Sequence, residues 1–537
     1  MTTTLIQGGT VVAFHEGAHR LLRDGQVLCE DGQIAFVGQG YAGPADLTVN
    51  ATDRLVIPGL VDIHCHAGSQ AGERMIADVG DPQFFQAGFL NYWAVPSGKE
   101  GPVGLEEPGV GGAYTLAELI RGGTTTVLEL GSASEAFAQV AVELGIRLYA
   151  GAYCASARYA LDERGTIVWD WNEARGFAQL ERAEAILRAI DGMAGGRIRG
   201  MLCPAQADTC SPELLHASRS VAERLGVLMQ IHTAQNVMEL QQMLATHGKT
   251  PVAFLDDLGM LSPKTILGHC ILTSAHSLAR LPAGDDLERI ARAGSPVAHC
   301  PLVFARRGNL LESFDRYRAA GITVGIGTDT YPRDMLSEMR LAAFMAKVAE
   351  RSFAAGQARD IFNAATLGGA QAVGRDDLGR IAVGARADLA IVNLRNLRVG
   401  PYHDPIRTLV NCAVADDVET VMIDGQIAKR DGRLTTVDED DLLRRVQAAA
   451  DRIWEAVPNW HLGKTVDEYS TPTFAWLDSA PSPSGRGLGW GPPHEDPRHR
   501  PLGRRVRRQQ ASPHRERRRR HRGRPDRPRR THVRWYG

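Results

Sequence analysis

The chain has 537 residues, with 61 Lys and Arg against 62 Asp and Glu, for a formal net charge of −1. This near-neutral total combines two parts of opposite charge. Residues 479–537 contain 18 Arg, no Lys and 4 acids, for a net charge of about +14. Residues 1–478 therefore have a net charge near −15. No run of about 18 apolar residues is present, which argues against a transmembrane helix. The hydrophobic share of 44% is enough for a large buried core.

The eight cysteines are spread over a long chain, several of them inside apolar runs. This distribution is typical of reduced thiols and not of a disulfide framework. The first residues, MTTTLIQGGT, lack the basic segment and the apolar stretch of a secretory signal. We therefore expect a cytoplasmic protein.

Residues 1–57 and 375–436 both carry the pattern of β-hairpins. Apolar and polar residues alternate, and the turn pairs Asp31-Gly32 and Asp424-Gly425 lie between the alternating runs. Because each segment alone is too short to bury a good core, we predict one composite β-sandwich domain built from both ends of the chain. Two unrelated small sheets are the alternative.

Between these segments, residues 58–374 alternate short apolar runs with helical patterns. Near-continuous apolar strands separated by amphipathic helices are typical of parallel strands buried on both faces. Eight such strands over roughly 270 residues predict an α/β fold, the (β/α)₈ TIM barrel. A doubly wound open sheet is the alternative, but it would not place polar residues at so many strand ends. The eight runs are 55–66, 124–130, 146–154, 197–204, 226–233, 264–270, 295–301 and 322–329.

Three further segments complete the predicted organisation. The segment 68–114 is long and rich in Gly and Pro, yet it holds several aromatic residues; such loops are usually functional, and a lid over the site and a subunit contact both fit. Residues 437–478 are predicted to form C-terminal helices. The tail, 479–537, is rich in Arg and Pro and nearly free of aliphatic residues, so we expect it to be disordered.

The strongest local motif is Asp62-Ile63-His64-Cys65-His66, at the end of the first barrel run. Alternate residues of a strand face the same side, so the imidazoles of His64 and His66 can point toward one metal ion. Two histidines also share a strand face by chance, and the pair alone does not decide between these explanations.

Three more strand ends carry polar residues: His232 ends the fifth run, His269 the sixth and Asp329 the eighth. Barrel enzymes gather their reacting groups at this end of the strands. Imidazole and carboxylate ligands suit Zn²⁺ in an open site, although Fe²⁺ or Mn²⁺ would also bind. An ion lowers the pKa of bound water toward about 7. Asp329 could then take its proton, and His269 could stabilise charge that builds on the substrate.

These motifs resemble the amidohydrolase superfamily over roughly residues 4–478. The likeness points to the branch that includes cytosine, guanine and S-adenosylhomocysteine deaminases and the triazine chlorohydrolases. The segments that carry it are PGLVDIHCH (58–66), IHT (231–233), GHC (268–270), GIGTDT (325–330), GRIAVGARADLAIVN (379–393) and VMIDGQIAKRDGRL (421–434).

The resemblance implies roles for five residues. His64, His66, His232 and Asp329 would bind the metal, and His269 would contact the nucleophile or the substrate. Binuclear members carry a bridging carboxylated lysine at the end of the fourth strand, but this chain reads RGMLCPAQ there, which implies a single ion.

The chain departs from that branch at two points. Gln235 stands where deaminases have a Glu three residues after the third histidine. An amide can orient a substrate but cannot exchange a proton. In a deaminase, another acid such as Glu129 would therefore have to take the role of that Glu. After the seventh strand the chain reads HCPLVFARRG, where the branch often reads HCPxSNxxL. Arg306 could bind a substrate carboxylate or another anion there. Solvated or internally paired arginines at 306 and 307 are the alternative.

We predict a metal-dependent hydrolase that cleaves a non-peptide C–N bond by metal-activated hydroxide. Its substrate would be an amidine, a cyclic amidine, an amide or an amino-substituted N-heterocycle. The alternatives are a triazine-type chlorohydrolase or alkylamine hydrolase, which suits the missing Glu, and a cytosine- or guanine-type deaminase that uses another acid. The expected cofactor is one divalent metal ion, zinc, with Fe or Mn as alternatives.

The expected partners are a small-molecule substrate and further copies of the chain, in a dimer or tetramer, with no membrane. The basic tail could hold nucleic acid through its phosphates. It contains no recognisable binding module, however, and it is also typical of GC-rich sequence read in an unselected frame. We therefore expect it to contribute nothing to hydrolysis.

Overall fold

The structure is a computed structural model, and it describes residues 3–68, 74, 84, 86–87, 95–99, 109–282, 284–461 and 473–475. The predicted lid or subunit contact within 68–114 lies largely outside the described residues, and the tail 479–537 lies wholly outside them. The strands, in chain order, are β1 (Thr3–His15), β2 (Ala18–Glu30), β3 (Gln33–Gly38), β4 (Leu47–Asn50), β5 (Leu55–Pro58), β6 (Leu60–Cys65), β7 (Thr124–Leu130), β8 (Arg147–Cys154), β9 (Ala157–Leu161), β10 (Ile167–Trp171), β11 (Ile198–Pro204), β12 (Leu228–Thr233), β13 (Thr265–His269), β14 (Val297–His299), β15 (Val324–Ile326), β16 (Leu389–Val392), β17 (Val418–Ile423), β18 (Gln426–Arg430) and β19 (Arg433–Leu434).

The helices mostly begin at a side chain that accepts a backbone N–H of the first turn, such as Ser134, Asn172 and Ser211. These residue types satisfy N–H groups that have no partner inside the helix. The described helices of six residues or more are α1 (Val110–Arg121), α2 (Glu135–Leu144), α3 (Glu173–Ile190), α4 (Pro212–Leu225), α5 (Val237–His247), α6 (Pro251–Asp257), α7 (Asp286–Ala293), α8 (Pro301–Arg306), α9 (Phe314–Ala319), α10 (Met335–Glu350), α11 (Ala358–Asn363), α12 (Pro405–Cys412) and α13 (Glu439–Glu455).

One sheet combines strands from both ends of the chain, in the order β19–β18–β17–β16–β5–β1–β2–β3, with β4 beside β1. The joint lies at β5, which runs parallel to β1 and antiparallel to β16. The composite β-domain is therefore confirmed. Its apolar core draws on both segments: Ile6, Val11, Val27, Cys29, Ile34, Ala51, Val56, Ile381, Ala385, Ala387, Leu389, Ile391 and Met422.

Both predicted turn pairs form hairpins in this sheet. Asp31 and Gly32 have φ of 49° and 79°, and Asp424 and Gly425 have φ of 54° and 79°. Positive φ at both central residues is what a type I′ turn requires, and Asp-Gly tolerates it. The turns join β2 to β3 and β17 to β18.

Eight parallel strands form the second sheet, in the order β6–β7–β8–β11–β12–β13–β14–β15. The two ends of this sheet meet where Cys65 bridges Asp329: the Asp329 N–H donates to the carbonyl of His64 and the His66 N–H donates to that of Asp329, both at 2.8 Å. The predicted (β/α)₈ barrel is confirmed. This closure also brings the first and last strand ends together at the mouth.

The first apolar run divides between the two sheets, because β5 belongs to the β-domain and β6 to the barrel. Every residue from 55 to 65 is buried, so no change in periodicity marks the division. Gly59 makes the turn possible, since a Cβ there would lie 2.1 Å from Oγ1 of Thr125.

A short hairpin of β9 and β10 is an element that the sequence patterns did not indicate. Its Tyr159 hydroxyl and Trp169 indole N–H donate to the two carboxylate oxygens of Asp208, at 2.8 and 2.9 Å. These bonds fix the hairpin to the segment that follows β11, which borders the barrel mouth.

All eight cysteines are free thiols, and seven of them are buried, in agreement with the expected absence of a disulfide framework. Over the residues that the structure describes, no helix has the length and apolarity needed to cross a membrane.

Candidate active site

Four histidines and one aspartate meet at the carboxyl ends of the barrel strands. Their imidazole centroids lie 4.4 to 5.4 Å apart in the contacting pairs. The five residues are those singled out by the sequence as metal ligands or catalytic groups: His64 in β6, His66 just after it, His232 in β12, His269 at the end of β13 and Asp329 after β15.

His66 and His232 face each other across the mouth with their Nε2 atoms 3.1 Å apart. Nδ1 of His66 lies 3.0 Å from the Leu130 carbonyl, and Nδ1 of His232 lies 2.6 Å from the Ala205 carbonyl. A carbonyl only accepts, so each Nδ1 carries the ring proton and each Nε2 carries a lone pair. The separation is close to the edge of about 3.3 Å expected between two nitrogens of a tetrahedral Zn²⁺ site.

His64 contributes a third nitrogen from the buried floor of the mouth. Its Nδ1 is 3.2 Å from the Gln230 amide nitrogen, whereas its Nε2 has no hydrogen-bond partner. An unpaired buried polar atom costs about 1–3 kcal/mol, and a cation at this position would remove that cost. The two imidazoles with facing lone pairs and this orphaned nitrogen fit a divalent metal ion.

Two glycines leave the space that His64 occupies. A Cβ at Gly268 would lie 3.0 Å from Cε1 of His64, and one at Gly327 would lie 2.7 Å from its Cβ and 2.9 Å from its backbone N and O. These glycines belong to the GHC and GIGTDT motifs, and they explain physically why small residues stand before His269 and Asp329.

Asp62 holds the backbone on both sides of the closure, a role that sequence reasoning missed. Its Oδ1 accepts the N–H groups of His64 and Thr328, both at 3.1 Å, and its Oδ2 accepts the Thr328 hydroxyl at 2.6 Å. Burial raises the pKa of Asp62 to about 7. The sequence feature that could have indicated this role is a carboxylate two residues before His64, inside an apolar strand.

Asp329 stands between His66 and His269. Its Oδ1 is 3.9 Å from Nε2 of His66, and its Oδ2 is 3.6 Å from Nε2 of His269. Asp329 and His269 have φ of 55° and 80°, the left-handed region that non-glycine residues rarely adopt. Such strain costs roughly 1–3 kcal/mol per residue and concentrates at functional sites.

Burial controls protonation in this cluster. It holds the pKa of His64 and of His269 well below the usual value and lowers the pKa of His232 to about 4, so these rings are neutral near pH 7. Burial alone would raise the pKa of Asp329. The neighbouring imidazoles and the Arg307 guanidinium outweigh this effect and keep the pKa below its usual value. Neutral imidazoles and a carboxylate are the forms that bind metal.

Gln235 follows His232 by three residues and is held by bonds on both its side chain and its backbone. Its Nε2 donates to Oε1 of Gln206 at 2.6 Å, and its backbone N–H donates to Oε2 of Glu239 at 2.7 Å. Glu239 also accepts the Ala234 N–H at 2.8 Å. Sequence reasoning missed this buried glutamate, whose only signal was a carboxylate in the first turn of α5.

The two adjacent arginines after the seventh strand have different surroundings. Arg306 donates to the Tyr331 carbonyl at 2.8 Å and to the Thr330 hydroxyl at 3.0 Å, and its guanidinium lies 3.9 Å from the Tyr331 ring centroid. Arg307, in contrast, is the arginine whose charge acts on the pKa of Asp329 and His232. A substrate role for Arg306 stays a prediction.

A barrel with imidazoles and a carboxylate at its strand ends defines the class of metal-dependent TIM-barrel hydrolases. The sequence profile of the amidohydrolase family matches residues 55–428. The chain belongs to this family. It is accordingly a hydrolase that acts on carbon–nitrogen bonds other than peptide bonds, as predicted.

Relatives of known name cover most of the chain. The 5'-deoxyadenosine deaminase of Methanothermobacter thermautotrophicus is 30% identical over 434 residues, which are 80% of this chain and 95% of that protein. The 5-methylthioadenosine/S-adenosylhomocysteine deaminase of Natronomonas pharaonis is 31% identical over 456 residues, or 84% of this chain and 98% of that protein.

Solved structures support the same fold. An adenosine deaminase from Xanthomonas campestris with bound zinc superposes with a TM-score of 0.70 at 26% identity, covering 84% of this chain and 98% of that one. The atrazine chlorohydrolase of Arthrobacter aurescens, complexed with zinc, has a TM-score of 0.69 at 24% identity over 83% of this chain and 100% of that one. At 24% identity, the likeness to the atrazine chlorohydrolase shows the fold alone.

Proposed function

We propose that this protein is a mononuclear metal-dependent hydrolase that acts on an amidine, a cyclic amidine, an amide or an amino-substituted N-heterocycle. The observation that carries the proposal is the 3.1 Å approach of two imidazole Nε2 lone pairs, from His66 and His232, beside a buried unpaired nitrogen of His64. A bound cation would accept both of these lone pairs and would also pair the buried nitrogen of His64.

The proposed ligands are the three imidazoles and the carboxylate of Asp329, and the proposed ion is zinc. The Xanthomonas relative with bound zinc supports that choice. When bound, the ion supplies Lewis-acid activation of water, whose pKa falls toward about 7. The fourth barrel strand, β11, is followed by Ala205 and Gln206 and not by a lysine that could bridge two ions, which supports a single ion.

Asp329 is the proposed proton carrier. One of its oxygens faces His66, on the ligand side, and the other faces His269, so the carboxylate can accept a proton on one side and release it on the other. His269 is neutral at pH 7 because burial holds its pKa well below the usual value. A neutral ring donates a hydrogen bond to charge that builds on the attacked group.

The leaving group must depart without the acid that deaminases place after the third histidine. Gln235 can orient a ring nitrogen, but it cannot protonate it. Glu129 is no ready substitute, because its oxygens already accept the Ser132 N–H at 3.1 Å and the Ala67 N–H at 3.3 Å. This feature favours, as a second candidate function, displacement of chloride from a triazine-type ring, since chloride leaves unprotonated.

The test measures ammonia, alkylamine and chloride release from a panel of amidines, amino-heterocycles and chlorotriazines. Release should require one metal ion per chain and should cease after chelation. Ammonia release supports the first candidate, and chloride release without ammonia supports the second. Hydrolysis that persists at full rate in metal-free enzyme would contradict both.

We also propose that residues 479–537 take no part in hydrolysis and that the enzyme is a dimer or tetramer. A chain ending at residue 478 should keep kcat/KM and the oligomeric mass of the full chain, measured by light scattering. Loss of activity on truncation would assign the tail a catalytic role.

A further inference from the structure

We propose that the Cys300 thiol completes a second metal position, more deeply buried than the proposed catalytic one, which takes a thiophilic divalent ion such as Cd²⁺. The residues of this position, which we call the inner set, are His64, His269, Cys300 and Asp329. The imidazoles of the proposed catalytic position, which we call the outer set, are those of His64, His66 and His232. The inference rests on the proposed hydrolase function only for the assignment of the outer set.

The inner set is a compact group of possible ligand atoms. One such atom from each of its four residues lies within 4.8 Å of those from the other three. Each of the four residues is at most 4% exposed, whereas His66 and His232 of the outer set are partly exposed. The chain therefore offers an ion two adjoining groups of ligands that share His64, and the inner one is closed to solvent.

Two imidazole nitrogens of the inner set point to a bound ion. Nε2 of His64 and Nδ1 of His269 have no hydrogen-bond partner among the residues that the structure describes, although both side chains are buried. The two rings lie close together, with centroids 4.4 Å apart. Leaving buried polar atoms unpaired is unfavourable. The outer set accounts for the nitrogen of His64 only, and an ion that binds through Nδ1 of His269 would pair the other.

Cys300 brings a softer donor to these imidazoles. It precedes α8, and within this fully described helix its side chain accepts no backbone N–H. Among the described residues, Cys300 is the only one of the eight cysteines that joins a group of possible metal ligands. Thiolate, imidazole and carboxylate together suit Zn²⁺ and softer ions, whereas Mg²⁺ and Mn²⁺ prefer oxygen ligands. On binding, Sγ forms a bond to the ion and the thiol proton passes to the solvent.

The two positions exclude each other, because both need His64. A tetrahedral zinc site places neighbouring nitrogen and sulfur donors about 3.3–3.6 Å apart, so donors up to 4.8 Å apart must approach by roughly 1 Å. A larger soft ion such as Cd²⁺ requires less of this movement. Because the movement costs energy, we expect the inner set to hold an ion only while the free ion is in excess, and not through dialysis. An ion bound there takes His64 from the zinc of the outer set.

The test adds excess Cd²⁺ to the zinc-loaded full chain and records two signals. The first is the ultraviolet charge-transfer absorption of a thiolate bound to cadmium, and the second is the zinc in an ultrafiltrate, measured by elemental analysis. We expect the absorption to appear as zinc is released. Cys300→Ser should lose the absorption. Cys300→Ala repeats the measurement with an apolar side chain, which suits the neighbours Leu240 and Leu272 should serine destabilise the fold.

Three further variants separate the two sets. His232→Gln removes a ligand of the outer set only, so it should keep the absorption when Cd²⁺ is added. His269→Gln should bind Cd²⁺ at least tenfold more weakly, measured by the same absorption. Cys412→Ser is the matched control, because Cys412 is the one cysteine that is not fully buried, and it should behave like the wild type.

Four outcomes would overturn the proposal: no absorption in the wild type, absorption that persists in both Cys300 variants, unchanged Cd²⁺ affinity in His269→Gln, or loss of the absorption in Cys412→Ser. Loss in His232→Gln would overturn it as well, because the sulfur would then belong to the outer set. The absorption needs no turnover. Failure of the hydrolysis panel therefore leaves this result intact, and a missing absorption leaves the hydrolase proposal intact.

Discussion

Nε2 of His66 and Nε2 of His232 lie 3.1 Å apart, although neither can donate a proton to the other. Each ring gives its Nδ1 proton to a backbone carbonyl, at Leu130 and Ala205. Carbonyls that accept the Nδ1 proton of a histidine fix its tautomer and can direct its Nε2 lone pair at a metal. The backbone at the ends of β7 and β11 therefore orients two of the proposed metal ligands.

Replacing His232 should abolish metal retention. We expect His232→Gln to hold well under 0.5 metal ion per chain (roughly a tenth or less) after dialysis, because it removes a ligand and breaks the bond to Ala205. Elemental analysis of the purified protein measures this. His216→Gln is the matched control, since His216 is exposed on α4. Full metal content in His232→Gln would contradict the assigned ligand set.

Gly327 should be equally necessary, for a steric reason. A Cβ there would lie 2.7 to 2.9 Å from three atoms of His64, and overpacking of a buried site costs about 1–3 kcal/mol. We expect Gly327→Ala to lower both the unfolding free energy, measured in urea, and the metal content. Gly122→Ala is the control, because its added Cβ would meet no atom closer than 3.5 Å. Unchanged metal binding in Gly327→Ala would mean that His64 can shift without loss.

The barrel and the candidate site residues at its mouth could be predicted from the sequence because one physical rule links them. Parallel strands buried on both faces read as apolar runs, so a polar residue at the end of such a run stands out. His232, His269 and Asp329 all follow this rule. The same rule hides β5, which continues into β6 without any exposed residue that would mark the change of sheet.

The contacts between neighbouring loops could not be predicted, because they depend on side-chain direction at helix ends. Arg306 and Arg307 are the same residue type and adjacent in sequence, yet it is Arg306, at the end of α8, whose guanidinium bonds to Thr330 and Tyr331. Glu239 is a similar case, since its bonds to Ala234 and Gln235 arise from a chain reversal between β12 and α5.

Acid should destabilise the chain through His19, which lies far along the sequence from the metal ligands. Its ring packs against Phe14 and Phe362, with centroids 6.0 and 5.3 Å away, and burial, helped by Arg380, lowers its pKa to about 4. The unfolded chain, with a His pKa near 6.5, binds more protons between pH 6.5 and about 4. Stability should therefore fall as the pH drops through this window and should be retained above it.

The His19→Gln variant isolates this contribution. Urea unfolding of metal-free protein at pH 7 and pH 4.5 should show a smaller loss of stability in the variant than in the wild type, with the difference at most on the order of 3 kcal/mol. Using metal-free protein keeps proton competition for the ion out of the comparison. Equal pH dependence in both proteins would show that His19 is protonated in the folded state.

Gln235 offers the sharpest test of leaving-group chemistry. Gln235→Glu places a titratable group three residues after the proposed ligand His232, and general acid catalysis is worth about 10²- to 10⁴-fold. We expect ammonia release from amino-heterocycles to rise at least tenfold, whereas chloride release should not rise, because chloride needs no proton. The ratio of the two rates, measured on the same enzyme preparation, is independent of metal content.

Gln235→Met is the control: it removes the bond to Gln206 and should lower both rates together. A ratio that stays unchanged in Gln235→Glu would show that the proton for the leaving group comes from elsewhere, with Asp329 as the remaining carrier.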